Sequence, residues 1–375
     1  MGRINGSIHH FLEHATIGKK ISIISLILVV VPVLVLGAVA YSSAYNVVYT
    51  DTKLTLETQV EDMQEASGTV YNLTQNKVNA DLNVMRETFY AKGKPEIRNG
   101  KMVLISGSTE HIINDNFETV DAVQKLLGGA ATVFQKQGDK AIRISTNVIG
   151  EDGKRAVGTS VSQAVYDAVI TRGETYYGSA VVVGKKYITA YEPIKDSKGD
   201  IIGILFVGVD EAKTVGVLSD QIKRKKIGEN GYMYVIDSKG TALVHPTLEG
   251  QNLLADYPFV NDIIAKKSGF IEYKIDGVDK IAAFAYYKPL DWNIVASGTL
   301  SDFTGPIDAI RNTIILVIIL GVIGGMAISY AFGRSITRRM DELVNLSHSV
   351  TGGDLSVAVH ESTSQDEIGV LSKAF

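Results

Sequence analysis

Two long runs without charge constrain this chain before anything else does. Ile21 to Tyr41 and Thr313 to Phe332 contain no acidic or basic residue, with Pro32 inside the first and Gly321, Gly324 and Gly325 inside the second. About 20 apolar residues at helical rise match the hydrocarbon thickness of a bilayer. Proline and glycine are tolerated there because neighbouring helices re-satisfy the backbone. A buried core helix is the rival reading, but such helices rarely stay uncharged for so long. For the first run a cleaved signal peptide is a second rival, since Ala38-Val39-Ala40 resembles a cleavage site. Its apolar stretch exceeds the roughly 7–15 residues of a signal-peptide core, so a retained membrane helix is expected.

Flanking charge orients the pair. Arg3, Lys19 and Lys20 precede the first run, and Arg334, Arg338 and Arg339 follow the second. By the positive-inside tendency both ends are cytoplasmic, which leaves the region between the runs on the far side of the plasma membrane. The formal net charge of -4 gives no reason to expect nucleic acid as a partner. Cysteine is absent. That removes disulfides, thiolate metal sites and cysteine nucleophiles together, and it fits an oxidising compartment.

From Ser42 to Tyr90 there is neither proline nor a turn cluster. Apolar residues such as Val60, Met63, Val78, Leu82 and Met85 recur at helical spacing, so a long helix is expected to continue out of the membrane until Gly93, Lys94 and Pro95. Short strands then alternate with breakers. Candidates are Lys101–Ser106, Ala130–Gln135, Ala141–Val148, Ala180–Val183, Tyr187–Ile194 and Ile201–Val209, with helices at Asn116–Leu127 and Ser162–Thr171. A connector helix, Glu211 to Lys226, ends in a basic run that reads as a solvated face, with contact to anionic lipid as the sharper alternative. A second block repeats the plan: a hairpin over Tyr232–Asp237 and Thr241–His245, a helix near Pro258–Lys267, then strands at Gly269–Ile275, Lys280–Tyr287 and Trp292–Gly298. Both blocks carry the turn Asp-Ser-Lys-Gly, at Asp196–Gly199 and Asp237–Gly240. The class is α+β, with one antiparallel sheet per block.

The second block, GYMYVIDSKGTALVHP followed by KPLDWNIVASG, resembles a Cache domain, a PAS-like extracytoplasmic sensor module. The first block, with GGAATVFQ, RISTNV, KRAVGT and PIKDSKGDIIGILFVGVD, resembles the membrane-distal partner of a tandem Cache pair. After the second run, SITRRMDELVNLSHSVTGGDLSVAVHESTSQDEIGVLSKAF resembles a HAMP module, and its DEIGVLSKAF ending is similar to that of methyl-accepting chemotaxis receptors. HAMP modules usually carry a proline early in the first helix, where this chain has Arg339. The seam can be read directly: Ile336, Met340, Leu343, Ser347 and Val350 keep four-three spacing suited to a coiled coil, with Ser347 as its flaw. Gly352-Gly353 ends that helix, Leu355, Val357 and Val359 alternate as an extended connector, and Ser364 with Glu367 forms a capping box before Ile368, Leu371 and Phe375. One chain cannot satisfy a parallel two-helix seam, so a homodimer is expected.

The expected division is a cytoplasmic N-terminus (1–20), a first transmembrane helix (21–41) and a long extracytoplasmic helix (42–92). A membrane-distal Cache-like domain (93–212), a connector helix (213–227) and a membrane-proximal Cache-like domain (228–302) follow. A second transmembrane helix (312–333) and a truncated HAMP module (334–375) complete it.

Chemistry-bearing motifs are scarce. There is no Gly-rich phosphate loop, HExxH pair or nucleophile motif, so no catalytic residue, cofactor or metal ligand is assigned and no enzyme activity is expected. His111 and His245 are too isolated for a metal site; His245-Pro246 reads as a strand-end turn or a pocket-lining donor. In Ala141–Val148, alternation puts Arg143, Ser145 and Asn147 on one face. That face is either wet, or covered and in need of partners, because an unpaired buried guanidinium is costly. A bound carboxylate supplies one. Arg155, and Tyr187, Thr189 and Tyr191 on one face of a later strand, are its expected companions. Tyr232, Tyr234, Tyr273, Tyr286 and Trp292 read as packing in the proximal block, which is expected to relay motion rather than bind.

The resemblance implies a chemoreceptor that senses a small extracytoplasmic ligand, an organic or amino acid, and acts on cytoplasmic signalling proteins through an output region beyond Phe375. The alternative is the sensor portion of a histidine kinase or cyclic-dinucleotide cyclase. A truncated receptor that signals nothing alone, or only dampens its full-length relatives by forming mixed dimers, is a third reading.

Overall fold

The computed structural model describes residues 17–353 and 365–374. Arg3, the connector residues Leu355, Val357 and Val359, Ser364 of the capping box and Phe375 lie outside the described residues. The chain divides into two compact units, Thr52–Asp302 and the segments on either side of it.

Helix α1 (Ile17–Tyr90) is continuous through Pro32. Its second half organises the sheet-containing unit. A meander of β1 (Lys94–Arg98), β2 (Lys101–Ser106) and β3 (Thr109–Ile112) comes first. The first main sheet then comprises β4 (Ala130–Gln137), β5 (Lys140–Thr146), β6 (Tyr176–Val182), β7 (Lys185–Lys195) and β8 (Ile201–Asp210), in spatial order β5-β4-β8-β7-β6. Helix α2 (Glu118–Leu127) precedes β4, and a short helix α3 (Gln163–Tyr166) runs into a π-helical turn before β6.

Helix α4 (Glu211–Arg224) leads to the second sheet. There β9 (Lys226–Ile227) pairs with β10 (Gly231–Ile236), which continues through β11 (Ala242–Val244), β12 (Ser268–Ile275), β13 (Val278–Tyr287) and β14 (Trp292–Thr299) in the order β11-β10-β14-β13-β12. Helix α5 (Phe259–Lys266) lies between β11 and β12. Both five-strand cores therefore read 2-1-5-4-3 when strands are numbered within their own block, so the repeat seen in element order is also a repeat of topology. All these pairs are antiparallel.

Val78, Leu82, Met85 and Phe89 on α1 are fully buried against Val133, Ile188, Leu205 and Val207 of the first sheet. Each such side chain contributes about 1.5–3 kcal/mol of transfer free energy. Arg86 fixes the strand register beside them through a forked bond to Glu192, its Nε lying 2.7 Å from Oε1. Further along α1, Gln64 donates to the Tyr286 carbonyl and Tyr71 stands edge-on to Tyr287, so the same helix also braces the second sheet.

The other unit is helical. Helix α6 (Leu300–Thr351) runs from the end of β14, and among the described residues α1 and α6 are the two helices long and apolar enough to cross a membrane. Their apolar stretches pack through small residues. A Cβ placed on Gly18 would lie 2.9 Å from the Gly333 carbonyl oxygen, and Ser22 and Ser329 exchange hydroxyl-to-carbonyl bonds of 3.2 and 2.9 Å. Leu343 is the most covered residue of the expected HAMP seam, whereas Val350 is exposed. Gly353, at φ 87°, marks the end of α6. Helix α7 (Glu367–Ala374) is capped by Asp366, whose Oδ1 accepts the Gly369 N–H at 2.8 Å and whose other oxygen meets Arg339 at 2.9 Å.

Candidate ligand-binding site

The face of the first sheet opposite α1 carries an aromatic and cationic cluster. Phe134 on β4, Tyr191 on β7 and Phe206 on β8 pack ring to ring, with Tyr176 of β6 against Tyr191. The 156–171 segment covers them, contributing Ala156, Val165, Val169 and Ile170. Into this layer projects Arg143, only 4% exposed. Its guanidinium sits 5.1 Å from the Phe134 ring centre and donates one bond of 2.6 Å to Thr159 Oγ1. Its Nε has no partner, and among the described residues no carboxylate pairs with it. Burial lowers its pKa, with Tyr191 and Tyr187 pulling the other way. Burial also drives the Tyr191 hydroxyl well above its usual value.

Tyr187, Thr189 and Tyr191 do share this face, as alternation on β7 requires, while Ile188 and Ala190 point into the α1 core. Thr189 Oγ1 is bound at 2.7 Å to the Gly178 carbonyl of the neighbouring strand. On β5 the alternation breaks. Val133 pairs with Ser145 and Phe134 with Arg143, so Ile144 is an inserted residue with no opposite number, a β-bulge. Arg143 therefore lies with Phe134, but Ser145 and Asn147 turn to the α1 side, where Ser145 donates to the Asn116 carbonyl. Asn147 accepts the Ala131 N–H at 2.8 Å and donates to the Gly129 carbonyl. These two do not share a face with Arg143.

Arg155 is also engaged elsewhere. It forms a two-pronged pair with Asp121 of α2 at 2.7 and 3.0 Å, donates to the Thr146 carbonyl and lies over Phe117. Sequence reasoning missed Phe134 and Thr159, the two groups that touch the guanidinium. Phe134 alternates with Val133 along β4, and that alternation is the signal the sequence carries.

Beside this cluster, where β4 and β7 begin and β8 ends, a cleft of about 190 Å³ opens. Tyr187, Asn147, Asp210, Lys77 and Lys213 line it. Lys77 is held by Asp81 at 2.5 Å. Tyr187 thus borders both the cleft and the Arg143 layer.

In the second sheet His245 and Tyr273 are satisfied internally, while Asn293 Oδ1 on β14 is buried without a partner among the described residues. His245 Nδ1 accepts the N–H groups of Thr247 and Leu248, which makes it the organiser of its strand-end turn, wedged between Tyr232 and Tyr234. Tyr273 bonds Ser297 at 2.5 Å, and burial pushes its hydroxyl up to about 12. Trp292 is core.

A family model for the Cache 3/Cache 2 fusion domain matches residues 41–313. The chain belongs to the Cache 3/Cache 2 fusion family. A HAMP family model matches residues 331–375, directly after this Cache region. The chain is similar to the methyl-accepting chemotaxis protein TlpB of Bacillus subtilis, with 25% identity over 99% of this chain and 52% of that protein. McpA of the same organism shows 22% identity over 97% of this chain and 51% of its own length. The chain thus spans about half the length of the curated relatives it matches. Among solved structures, the sensory domain of the Campylobacter jejuni chemoreceptor Tlp3 aligns with a TM-score of 0.40 and 13% identity, over 69% of this chain and 98% of that one.

Proposed function

We propose that this Cache–HAMP chain is the sensory half of a transmembrane chemoreceptor of the plasma membrane. In this reading α1 and α6 cross the bilayer, and the sheet-containing unit between them is extracytoplasmic. The membrane-distal domain binds a small anionic or zwitterionic metabolite, an organic or amino acid. The membrane-proximal domain and HAMP helices relay the event within a homodimer to cytoplasmic signalling proteins.

One observation supports the ligand class: among the described residues the buried Arg143 has no carboxylate partner, and its Nε is unbonded. A buried cation without a counter-charge is costly. A carboxylate accepting two parallel N–H bonds supplies the missing charge and the missing acceptor together. In this reading Tyr187 and Tyr191 contact the ligand beside Arg143, whereas Ser145, Asn147 and Arg155 bond within the protein. Ligand binding shifts the receptor only through tighter binding to one of two arrangements.

Isothermal titration of residues 45–310 against a panel of organic and amino acids tests the reading. A carboxylate ligand should bind, and Arg143→Met should abolish its heat. Unaltered affinity in the variant overturns the site. A topology reporter fused near Gly228 that is accessible only from the cytosol overturns the placement.

A further inference from the structure

Helices α1 and α6 meet at Gly18 and Gly333, just outside their uncharged runs, with their backbones nearly in contact. A groove of about 750 Å³ runs along this crossing. Ile23 gives it an apolar wall, Tyr330 an amphipathic one, and Lys19, Arg334 and Arg338 bring three cations. Arg338 is partly neutralised by Glu342 at 3.2 Å, and Asp341 also borders that end. Arg334 donates to the Tyr330 hydroxyl at 3.0 Å, and among the described residues neither it nor Lys19 has a carboxylate partner.

We propose that this groove binds the headgroup of an anionic phospholipid of the inner leaflet. The inference rests on the reading that both helices span the membrane with Lys19 and Arg334 at its cytoplasmic face. Tyrosine and basic residues are the side chains that sit at a membrane–water boundary. Basic pockets between membrane helices on the cytoplasmic side suit anionic headgroups. The phosphate meets Lys19 and Arg334, and an acyl chain continues along Ile23. A second copy of the chain is the poorer occupant, because two-fold packing here brings the same three cations against each other.

The test uses the full chain reconstituted in phosphatidylcholine vesicles containing a photoactivatable phosphatidylglycerol. Label mapped by mass spectrometry should concentrate in Gly18–Ile23 and Tyr330–Arg338. Unlabelled phosphatidylglycerol should compete it away, and phosphatidylcholine or soluble glycerol phosphate should not. Lys19→Gln with Arg334→Gln should weaken competition roughly thirtyfold, while Lys19→Arg with Arg334→Lys should retain it. Label spread evenly along both helices, equal competition by phosphatidylcholine, full competition by glycerol phosphate, or cross-linking of Ile23→Cys between two copies each overturns the lipid site. Failure of the wild-type chain to resist carbonate extraction overturns instead the spanning reading beneath it.

Discussion

Replacing Arg143 by methionine separates a structural arginine from one that awaits a ligand. The native guanidinium gains one charge-assisted hydrogen bond to Thr159, about 1.5–3 kcal/mol, and a contact with the Phe134 face, about 0.5–2 kcal/mol. Against these stand an unbonded Nε, about 1–3 kcal/mol, and the desolvation of an ion at 4% exposure, several kcal/mol. The opposing terms are the larger. Methionine fills the same space without charge, so the unliganded variant should be as stable as the native sensor or up to about 2 kcal/mol more stable. Ligand affinity should move the other way, because removing one partner of a buried charge pair costs about 2–5 kcal/mol, at least thirtyfold in Kd. Urea unfolding of residues 45–310, with and without ligand, reads both quantities. A variant destabilised by more than about 2 kcal/mol that still binds with native affinity would refute the reasoning and make Arg143 a framework residue.

Arg155→Met, which breaks the Asp121 pair on the partly exposed side of α2, should cost about 1 kcal/mol in urea unfolding and leave ligand affinity within twofold. Asp302 accepts the Glu229 and Asn230 N–H groups at 3.0 and 2.8 Å, clasping the turn before β10 to the first turn of α6, so Asp302→Ala should speed hydrogen exchange at both amides and lower stability by about 1 kcal/mol. Glu211 begins α4 with its carboxylate buried against Ser179. Burial raises its pKa, the Ser179 bond and Lys186 oppose that rise, and Asp210 and Asp291 add to it. The folded state then holds a proton that the unfolded state has released, so stability is full below the ordinary carboxylate value and falls as pH climbs to the folded one. Glu211→Gln should flatten that slope, seen as a weaker pH dependence of the urea midpoint in the window.

The elements most legible in the sequence are those whose signal is long or repeated. The uncharged runs, the helical spacing through Tyr90 and the two strand blocks correspond to α1, α6 and the paired sheets. The sequence pattern marks only the middle strand of the meander β1–β3, because Gly93, Lys94 and Pro95 read as the close of a helix. Yet Asn99-Gly100, with both residues at positive φ, is the hairpin turn that joins β1 to β2, and such a pair between apolar runs is a strong local hairpin signal. At α7, Asp366, one residue before Glu367, holds the Gly369 amide.

The site residues divide on a different principle. On β7 the ladder is unbroken from Tyr187 to Ile194, so parity along the chain is parity in space, and Tyr187, Thr189 and Tyr191 fall together. On β5 a single inserted residue, Ile144, reverses parity between Arg143 and Ser145, and no property of Ile144 in the sequence announces the bulge. Arg155 fails for another reason: its counter-charge, Asp121, lies 34 residues away on α2, beyond any local pattern. What alternation does identify is Arg143, a charged side chain lying on the aromatic layer. By sending Ser145 and Asn147 to the opposite face the bulge removes the hydrogen-bonding neighbours that would have satisfied Arg143 from within its own strand. The guanidinium is left with Thr159, an aromatic face and an unbonded Nε.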